Sequence, residues 1–389
     1  MPAMKVPGGV WALGLVSLFM DLSSELVHSL LPVFMTGVLG ASTVSVGLVE
    51  GIAEATASIV KVFSGTLSDR IGRRKPLLVL GYGLGALAKP FFPLAGSVPL
   101  VLAARFADRV GKGIRGAPRD ALVADLTPPE RRGAAYGLRQ ALDTIGSMLG
   151  PLAAIGLMLL LADDIRAVLW VAVVPAIVCV AVLLFSVRES AAPAKVKSAL
   201  SFQSIWQLGP QYWAIVALGA ILTLARFSEA FLVLRAQDVG IGLALVPMVL
   251  VVMNLAYTSI SYPAGVAADR GGRNALLFWG LAALIAADLL IAASATPLAL
   301  FCGVALWGAH MGLTQGLLAK LVADASPPSL RGTGFGVFNL VCGAALLAAS
   351  LLAGWLWSAL GAAATFYAGA AFTAVALAGL ATISAGRKA

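Results

Sequence analysis

"GTLSDRIGRR", residues 65–74, returns two hundred residues later as "GVAADRGGRN", residues 265–274. The offset of 200 aligns Gly65 with Gly265, Asp69 with Asp269, Arg70 with Arg270, Gly72 with Gly272 and Arg73 with Arg273. Further on, "LVADLTPPERRGAAYG" at 122–137 returns as "LVADASPPSLRGTGFG" at 321–336, offset by 199. Upstream, "SSEL" at 23–26 resembles "FSEA" at 227–230. A repeat at half the chain length decides the architecture before any single motif does.

The repeated unit is a membrane one. A chain of 389 residues that is 60% hydrophobic and 12% charged, with mean hydropathy +0.95, carries more apolar surface than a single soluble core can bury. A bilayer core about 30 Å thick asks for roughly 20 apolar residues per helix. At that length twelve spans emerge, at 9–39, 44–67, 76–95, 98–124, 133–160, 166–187, 209–235, 241–267, 275–295, 298–322, 332–358 and 362–385. The expected fold is an all-α membrane protein of two parallel six-helix bundles, 1–187 and 209–389, joined by a polar linker at 188–208. Such halves place a polar site near the midplane between them.

Cytoplasmic loops accumulate Lys and Arg. One set of alternate loops and termini holds Lys5, Arg70, Arg73, Arg74, Lys75, Arg119, Arg131, Arg132, Arg188, Lys195, Lys197, Arg270, Arg273, Lys320, Arg331, Arg387 and Lys388, while the other holds only Arg166 and Arg235. Both termini are therefore expected in the cytoplasm. The same asymmetry accounts for much of the net charge of +9 and leaves no basic domain for nucleic acid. The first apolar stretch runs straight into Asp21, Glu25 and His28 without a cleavage site, so it reads as the first helix rather than a signal peptide. Cys179, Cys302 and Cys342 sit far apart in apolar segments, with neither pairing nor metal-ligand spacing, as packing residues do.

"GTLSDRIGRRKP" and its echo resemble the signature cytoplasmic loop of the major facilitator superfamily of secondary transporters. The resemblance spans essentially the whole chain. "RVGKGIRGA" at 109–117 is loosely similar to the family's Arg-centred motif in the fourth helix, departing from it where Lys112 and Arg115 replace uncharged residues. "GSMLGPLAA" at 146–154, with Gly146, Gly150 and Pro151, is similar to the Gly-Pro motif of the fifth helix found mostly in exporters. The run "DRVGKGIRGAPRDALVAD" looks like that of a bacterial subgroup, mostly of undefined substrate. The resemblance implies that Gly65, Asp69, Arg70, Gly72 and Arg73, with Asp269, Arg270 and Arg273, form a conformational latch. A carboxylate beside a helix N-terminus and paired with arginine suits that role, and repetition of the Asp and both glycines goes beyond what surface anchoring requires.

In the fourth segment Arg105, Asp108, Arg109, Lys112 and Arg115 fall within an arc of about 120° at 100° per residue. Each such charge at the midplane costs about 2.5–3.5 kcal/mol, so five facing lipid would cost on the order of 12–17 kcal/mol. The stripe must face water or carboxylates. Asp21, Glu25 and His28 share a face of the first segment at i, i+4, i+7 spacing, Glu50, Glu54 and Lys61 share one of the second, and Arg139 and Asp143 align with Gly146 and Gly150 in the fifth. That last stripe runs into a glycine groove where a backbone can approach, and Pro151 is expected to kink the helix. Static ion pairs are the competing reading. At an offset of 199, however, Arg105, Arg109 and Lys112 map to Val304, Gly308 and Met311, so the second copy lacks the charges, which favours a functional role.

Proton-coupling candidates are Asp21, Glu25, Glu54, Asp108 and Asp143. Substrate or cavity candidates are His28, Lys89, Arg105, Arg109, Lys112, Arg115 and Arg139 in the first half, with Arg226, Glu229, Asn254, Tyr257, Tyr262, His310, Gln315 and Asn339 in the second; Asp288 stands isolated. "GKG" at 111–113 is not a Walker A loop, because Phe106 stands where the first glycine belongs and Gly113 where Ser or Thr should follow. An ion gradient is then the expected energy source and no cofactor is called for. The expected activity is proton-coupled export, an antiport by alternating access, of a small anionic or amphiphilic compound, by a probable-monomer carrier of the inner cell membrane whose partners are substrate, protons and lipid. Alternatives are efflux of nickel, cobalt or iron on Asp21, Glu25 and His28, uptake of a metal chelate or siderophore, and a channel. A membrane-embedded enzyme is a remote alternative, since the sequence offers neither a His-Glu metal motif nor a Gly-x-Ser-x-Gly nucleophile turn.

Overall fold

The computed structural model describes residues 7–71, 73–128, 131–188, 208–269, 273–327 and 330–385. Twelve helical spans follow one another: α1 Gly8–Val33, α2 Thr43–Ile71, α3 Lys75–Ala88, α4 Val98–Asp125, α5 Arg132–Leu160, α6 Ile165–Val171 continued by Val173–Ser186, α7 Pro210–Ala225 continued by Ala230–Asp238, α8 Met248–Asp269, α9 Arg273–Ala293, α10 Pro297–Ala325, α11 Arg331–Leu360 and α12 Ala362–Ala385. Local chemistry sets their ends. Proline sits in the first turn of α3, α4, α7 and α10, where its missing amide is not needed. Asp164 and Thr296 cap α6 and α10 by accepting from the amides of Ala167 and Ala299, at 3.1 and 3.3 Å. Gly361, at φ +92°, separates α11 from α12.

Among the described residues nine helices are long and apolar enough to cross a bilayer. The charge-bearing α2 and α4 are not among them, and neither is α12, whose apolar stretch among the described residues is Ala362–Ala378. Several spans are also less regular than expected. Past Pro32, α1 continues as a π-helical turn, Phe34–Val38. Beyond α3 a separate short helix covers Phe91–Leu94. The span expected at 209–235 is interrupted after Ala225 and resumes at Ala230. By contrast α5 is one continuous helix through Pro151. The expected linker falls on residues 189–207, outside those described.

The described residues of Met1–Leu31 and Thr56–Leu200 form one compact unit, and those of Pro32–Ala55 and Ser201–Ala389 a second. In the first, Val10, Leu13, Val16 and Met20 of α1 pack with Leu78 and Tyr82 of α3, Leu122 and Val123 of α4 and Cys179 and Leu183 of α6. Glycines let helices touch backbone to backbone. A Cβ at Gly111 of α4 would lie 2.5 Å from Gly81 O of α3, and one at Gly113 3.0 Å from Ala57 O of α2. A Cβ at Gly146 of α5 would lie 2.5 Å from Leu18 O, and one at Gly150 2.9 Å from Leu26 N. The glycine groove expected on the fifth segment is thus filled by α1.

In the second unit Pro32–Ala55 seats on α11. Thr43 Oγ1 donates to Gly354 O at 3.1 Å and shares a hydrogen bond of 2.7 Å with Ser358 Oγ. A Cβ at Gly51 would meet Leu347 Cα at 3.1 Å. Around the interruption of α7, Phe227 packs edge-on against Phe231 and Phe366 and tilted against Trp307, with centroids 5.4–5.6 Å away.

Candidate functional site

With 28 residues, α4 is about 42 Å long at 1.5 Å per residue. Its orientation follows from its glycines. Gly111 is pressed on α3 and Gly113 on α2, about 200° apart around the axis, and the charged stripe lies in the arc between them. Phe106, on the far side, is 48% exposed. The stripe therefore faces the interior of the first unit, where Arg105, Asp108, Arg109 and Arg115 are buried. Lys112 alone of these five is exposed.

Three stations follow along the stripe. At the first, Arg105 Nη2 donates to His28 Nδ1 at 2.7 Å. An arginine can only donate, so that nitrogen is the acceptor. Next to it Lys89 Nζ lies 2.9 Å from Asp108 Oδ1 and donates to Ser24 Oγ at 2.9 Å, with the two ion-pair side chains 1% and 2% exposed. Lys89 and Asp108, singled out for substrate and proton, are paired with each other and buried.

At the second station the Arg115 guanidinium lies over the Tyr82 ring, 4.8 Å from its centroid. Asp21 of α1 is within electrostatic reach of Lys112, Arg115 and Arg119, and of a like charge, Asp143. Nearby, Glu25 is half-buried with its Cβ against Gly150.

The third station was not legible as such. Arg119, counted with the cytoplasmic positive charges, turns into the unit: Nη1 donates to Ser17 Oγ at 2.9 Å and to Asp143 Oδ1 at 3.4 Å, and Nε to Asp120 Oδ1 at 3.2 Å. Arg139 Nη1 closes on Asp143 Oδ2 at 2.7 Å and lies 3.7 Å from Asp120 Oδ1. Tyr82 shares a hydrogen bond of 3.3 Å with Ser17. The signal available for Arg119 and Asp120 was their helical spacing from Arg115, which extends the stripe by one turn.

At the end of α4, Arg74 Nε donates to Asp125 Oδ2 at 3.3 Å, and its Nη1 donates to Ser68 Oγ. This pair was not among the latch candidates, although Asp125 ends the repeated "LVAD". Of those candidates, Arg73 is exposed, and a Cβ at Gly65 would make only an ordinary 3.4 Å contact with Ala117. Gly72 and Arg270 lie outside the described residues, as do the side chains of Asp69, Arg70, Asp269 and Arg273.

The candidates from the second half are less concentrated. Arg226 and Glu229 flank the interruption of α7, both half-buried, and Arg226 interacts with Glu229 and Tyr257. Asn254 and Asn339 are half-buried, and Glu54 belongs to this unit through Pro32–Ala55. His310 is buried, with Nδ1 2.8 Å from Gly280 O, a packing histidine of the α9–α10 contact. The side chains of Tyr262 and Gln315 lie outside those described. Among the described residues no three His, Cys, Asp or Glu side chains converge to hold a metal, and the expected donor His28 is taken by Arg105.

Twelve helices, an interior charge stripe and doubled loops define a multi-pass membrane carrier. The description of the Major Facilitator Superfamily matches residues 13–234 and again 215–387, and the chain belongs to that superfamily, whose members are transporters and not enzymes. An uncharacterised MFS-type transporter of Methanocaldococcus jannaschii is 33% identical over 355 residues, covering 90% of this chain and 88% of that protein. The multidrug resistance protein MdtH of Proteus mirabilis is 31% identical over 163 residues, 42% of this chain and 40% of that one. Among solved structures, a transporter of the POT family in complex with a thioalcohol-conjugated peptide superposes with TM-score 0.81 at 13% identity, covering 97% of this chain and 96% of that one.

Proposed function

We propose that this secondary transporter is a proton-coupled exporter of small organic anions or amphiphiles, working by alternating access in the cell membrane with both termini in the cytoplasm. The observation that carries the reading is Asp21, which lies within electrostatic reach of Asp143, Lys112, Arg115 and Arg119, with Lys112 exposed. Two carboxylates close enough to repel are relieved by one proton, and neighbouring cations decide which of them holds it. An accessible lysine gives an anionic group somewhere to land, and export against an inward proton gradient requires that cargo and proton occupy this site in alternate states rather than together. Lys89, Arg105, Arg109, Lys112, Arg115, Arg119 and Arg139 outnumber Asp21, Glu25, Asp108, Asp120 and Asp143 in this unit, which also favours an anionic cargo. Export is supported by the Gly146, Gly150 and Pro151 motif and by the similarity to a multidrug resistance protein.

In this reading Lys89–Asp108 and Arg74–Asp125 are static ties, and the halves 1–187 and 209–389 act as a monomer. The test begins with thermal stabilisation of the purified protein by a panel of aromatic carboxylates and amphiphilic dyes, because a ligand of the folded form raises its apparent stability. The best stabiliser is then followed in proteoliposomes under an imposed pH gradient. Asp21→Asn is expected to abolish proton-driven accumulation while leaving exchange of labelled for unlabelled compound. Undiminished pH-driven transport by that variant would remove the proton role from Asp21.

A further inference from the structure

Asp288, five residues before the end of α9, is fully buried, and among the described residues neither of its carboxyl oxygens has a hydrogen-bond partner. It lies where α9, α12 and the interruption of α7 meet. A Cβ at Gly369 of α12 would lie 2.6 Å from Asp288 Oδ2 and 3.1 Å from Ala225 O, the carbonyl on which the first part of α7 ends. Bulk at position 369 is absent, which leaves room there for both the carboxyl and the carbonyl. Downstream of Ala225 the chain leaves the helix for Arg226–Glu229, so the last carbonyls lose the amides that would have followed them.

No charge compensates the acid. On α7 the nearest ionisable groups are Arg226 and Glu229, which interact with each other; on α8 it is Tyr257, which interacts with Arg226. On α10 Cys302 and on α12 Tyr367 are exposed. Beyond Arg273 at its start α9 carries no other ionisable residue. An ionised carboxylate in such packing would be an unpaired buried charge, whereas the neutral acid has a proton to donate and a terminal carbonyl beside it.

We propose that Asp288 is a proton-binding site of the second unit, occupied when α7, α9 and α12 are packed together, and that loss of its proton loosens the interruption of α7. Water admitted at this seam lets the acid ionise. Once ionised, it cannot return to the dry contact until a proton does, so closing the seam is a protonation step. This does not depend on Asp21.

The linkage has a definite sign. A proton held here by the folded protein and released by the unfolded chain makes folding lose stability as pH rises, by about tenfold in the equilibrium constant per pH unit. Asn has the same shape and cannot ionise. Asp288→Asn is therefore expected to be more stable than the parent protein, with an advantage that widens as the unfolding midpoint is measured from pH 6 to pH 9. Infrared spectra of the protein in proteoliposomes are expected to show the carbonyl stretch of a protonated carboxylic acid that the variant lacks. Amides of 222–232 are expected to exchange hydrogen faster in the parent than in the variant at the same alkaline pH. Parallel stability curves, or no infrared band lost on substitution, would overturn the proton site. Loss of the band in sodium chloride relative to choline chloride would replace it with a cation site, and equal exchange would refute the coupling to α7. In an Asp21→Asn background the difference that Asp288→Asn makes to each of the three measurements is expected to be the same, which separates failure here from failure of the transport reading.

Discussion

Replacing Asp108 should damage the protein more than replacing Lys89, although the two form one ion pair. Their N···O distance is 2.9 Å and both side chains are all but inaccessible, so deleting either exposes the other to the cost of an uncompensated buried charge, about 3–5 kcal/mol. The surroundings break the symmetry. Arg105, Arg109 and Arg115 all lie within electrostatic reach of Asp108. In Lys89→Met the carboxylate keeps three guanidiniums, and the loss is expected near 1–2 kcal/mol. In Asp108→Asn the ammonium of Lys89 is left among those same cations, and the full ~3–5 kcal/mol is expected. The double variant removes the stranded ammonium and should recover about 1–3 kcal/mol of the Asp108→Asn loss, the coupling range of contacting residues. Thermal unfolding in a single detergent, followed by intrinsic tryptophan fluorescence, reads this as a drop of about 6–10 °C for Asp108→Asn against 2–4 °C for Lys89→Met, taking roughly 2 °C per kcal/mol for a chain of this size. Equal losses from the two single variants, or a double variant no better than Asp108→Asn, would refute the argument that the arginines beside Asp108 make it the keystone.

Gly150→Leu should cost about 1–3 kcal/mol, because its side chain meets the α1 backbone at Leu22 O and Leu26 N, whereas Gly156→Leu, with open space around it, should be neutral; the same melting assay distinguishes them. Phe227→Ala removes a ring shared with Phe231, Trp307 and Phe366 and should cost about 3–5 kcal/mol, read as a lowered denaturant midpoint. A double-mutant cycle on Arg74→Ala and Asp125→Asn should return a coupling of about 0.5–3 kcal/mol. Additive losses in that cycle would mean the two ends of α3 and α4 are not tied by this pair.

The twelve spans were legible because the signals that set them are local: apolar length, proline in first turns and glycine after last turns. The charged α4 falls short of the apolar composition of the other spans, yet apolar length alone already placed a segment at 98–124. Its facing was legible too, from the cost of charge in hydrocarbon. What the sequence withheld was pairing. Lys89 meets Asp108 and His28 meets Arg105 across different helices, and no periodicity within one helix says which neighbour supplies the counter-charge. The interruption of α7 was invisible for a related reason: "RFSE" carries no glycine or proline, and the break is held by aromatic packing from α10 and α12. Asp288 was noticed as isolated, but isolation along the chain does not reveal that it abuts Ala225 and Gly369.

The repeat conserves a scaffold and lets the chemistry on it diverge. Where α4 carries Arg105, Arg109 and Lys112, the equivalent positions of α10 are Val304, Gly308 and Met311. Gly308 sits so close to α8 that a Cβ there would lie 3.0 Å from Ala256 Cβ and closer still to Met253 O, so α10 and α8 are in backbone contact at the position where α4 holds a guanidinium. A charge placed in the second copy would have to force those backbones apart before it could be solvated. The tight contact therefore explains why the polar stripe could diversify in α4 alone. In the second unit it leaves ionisation to places where a helix is interrupted, as at Arg226 and Glu229, or where a missing side chain opens room for one acid, as Gly369 does for Asp288.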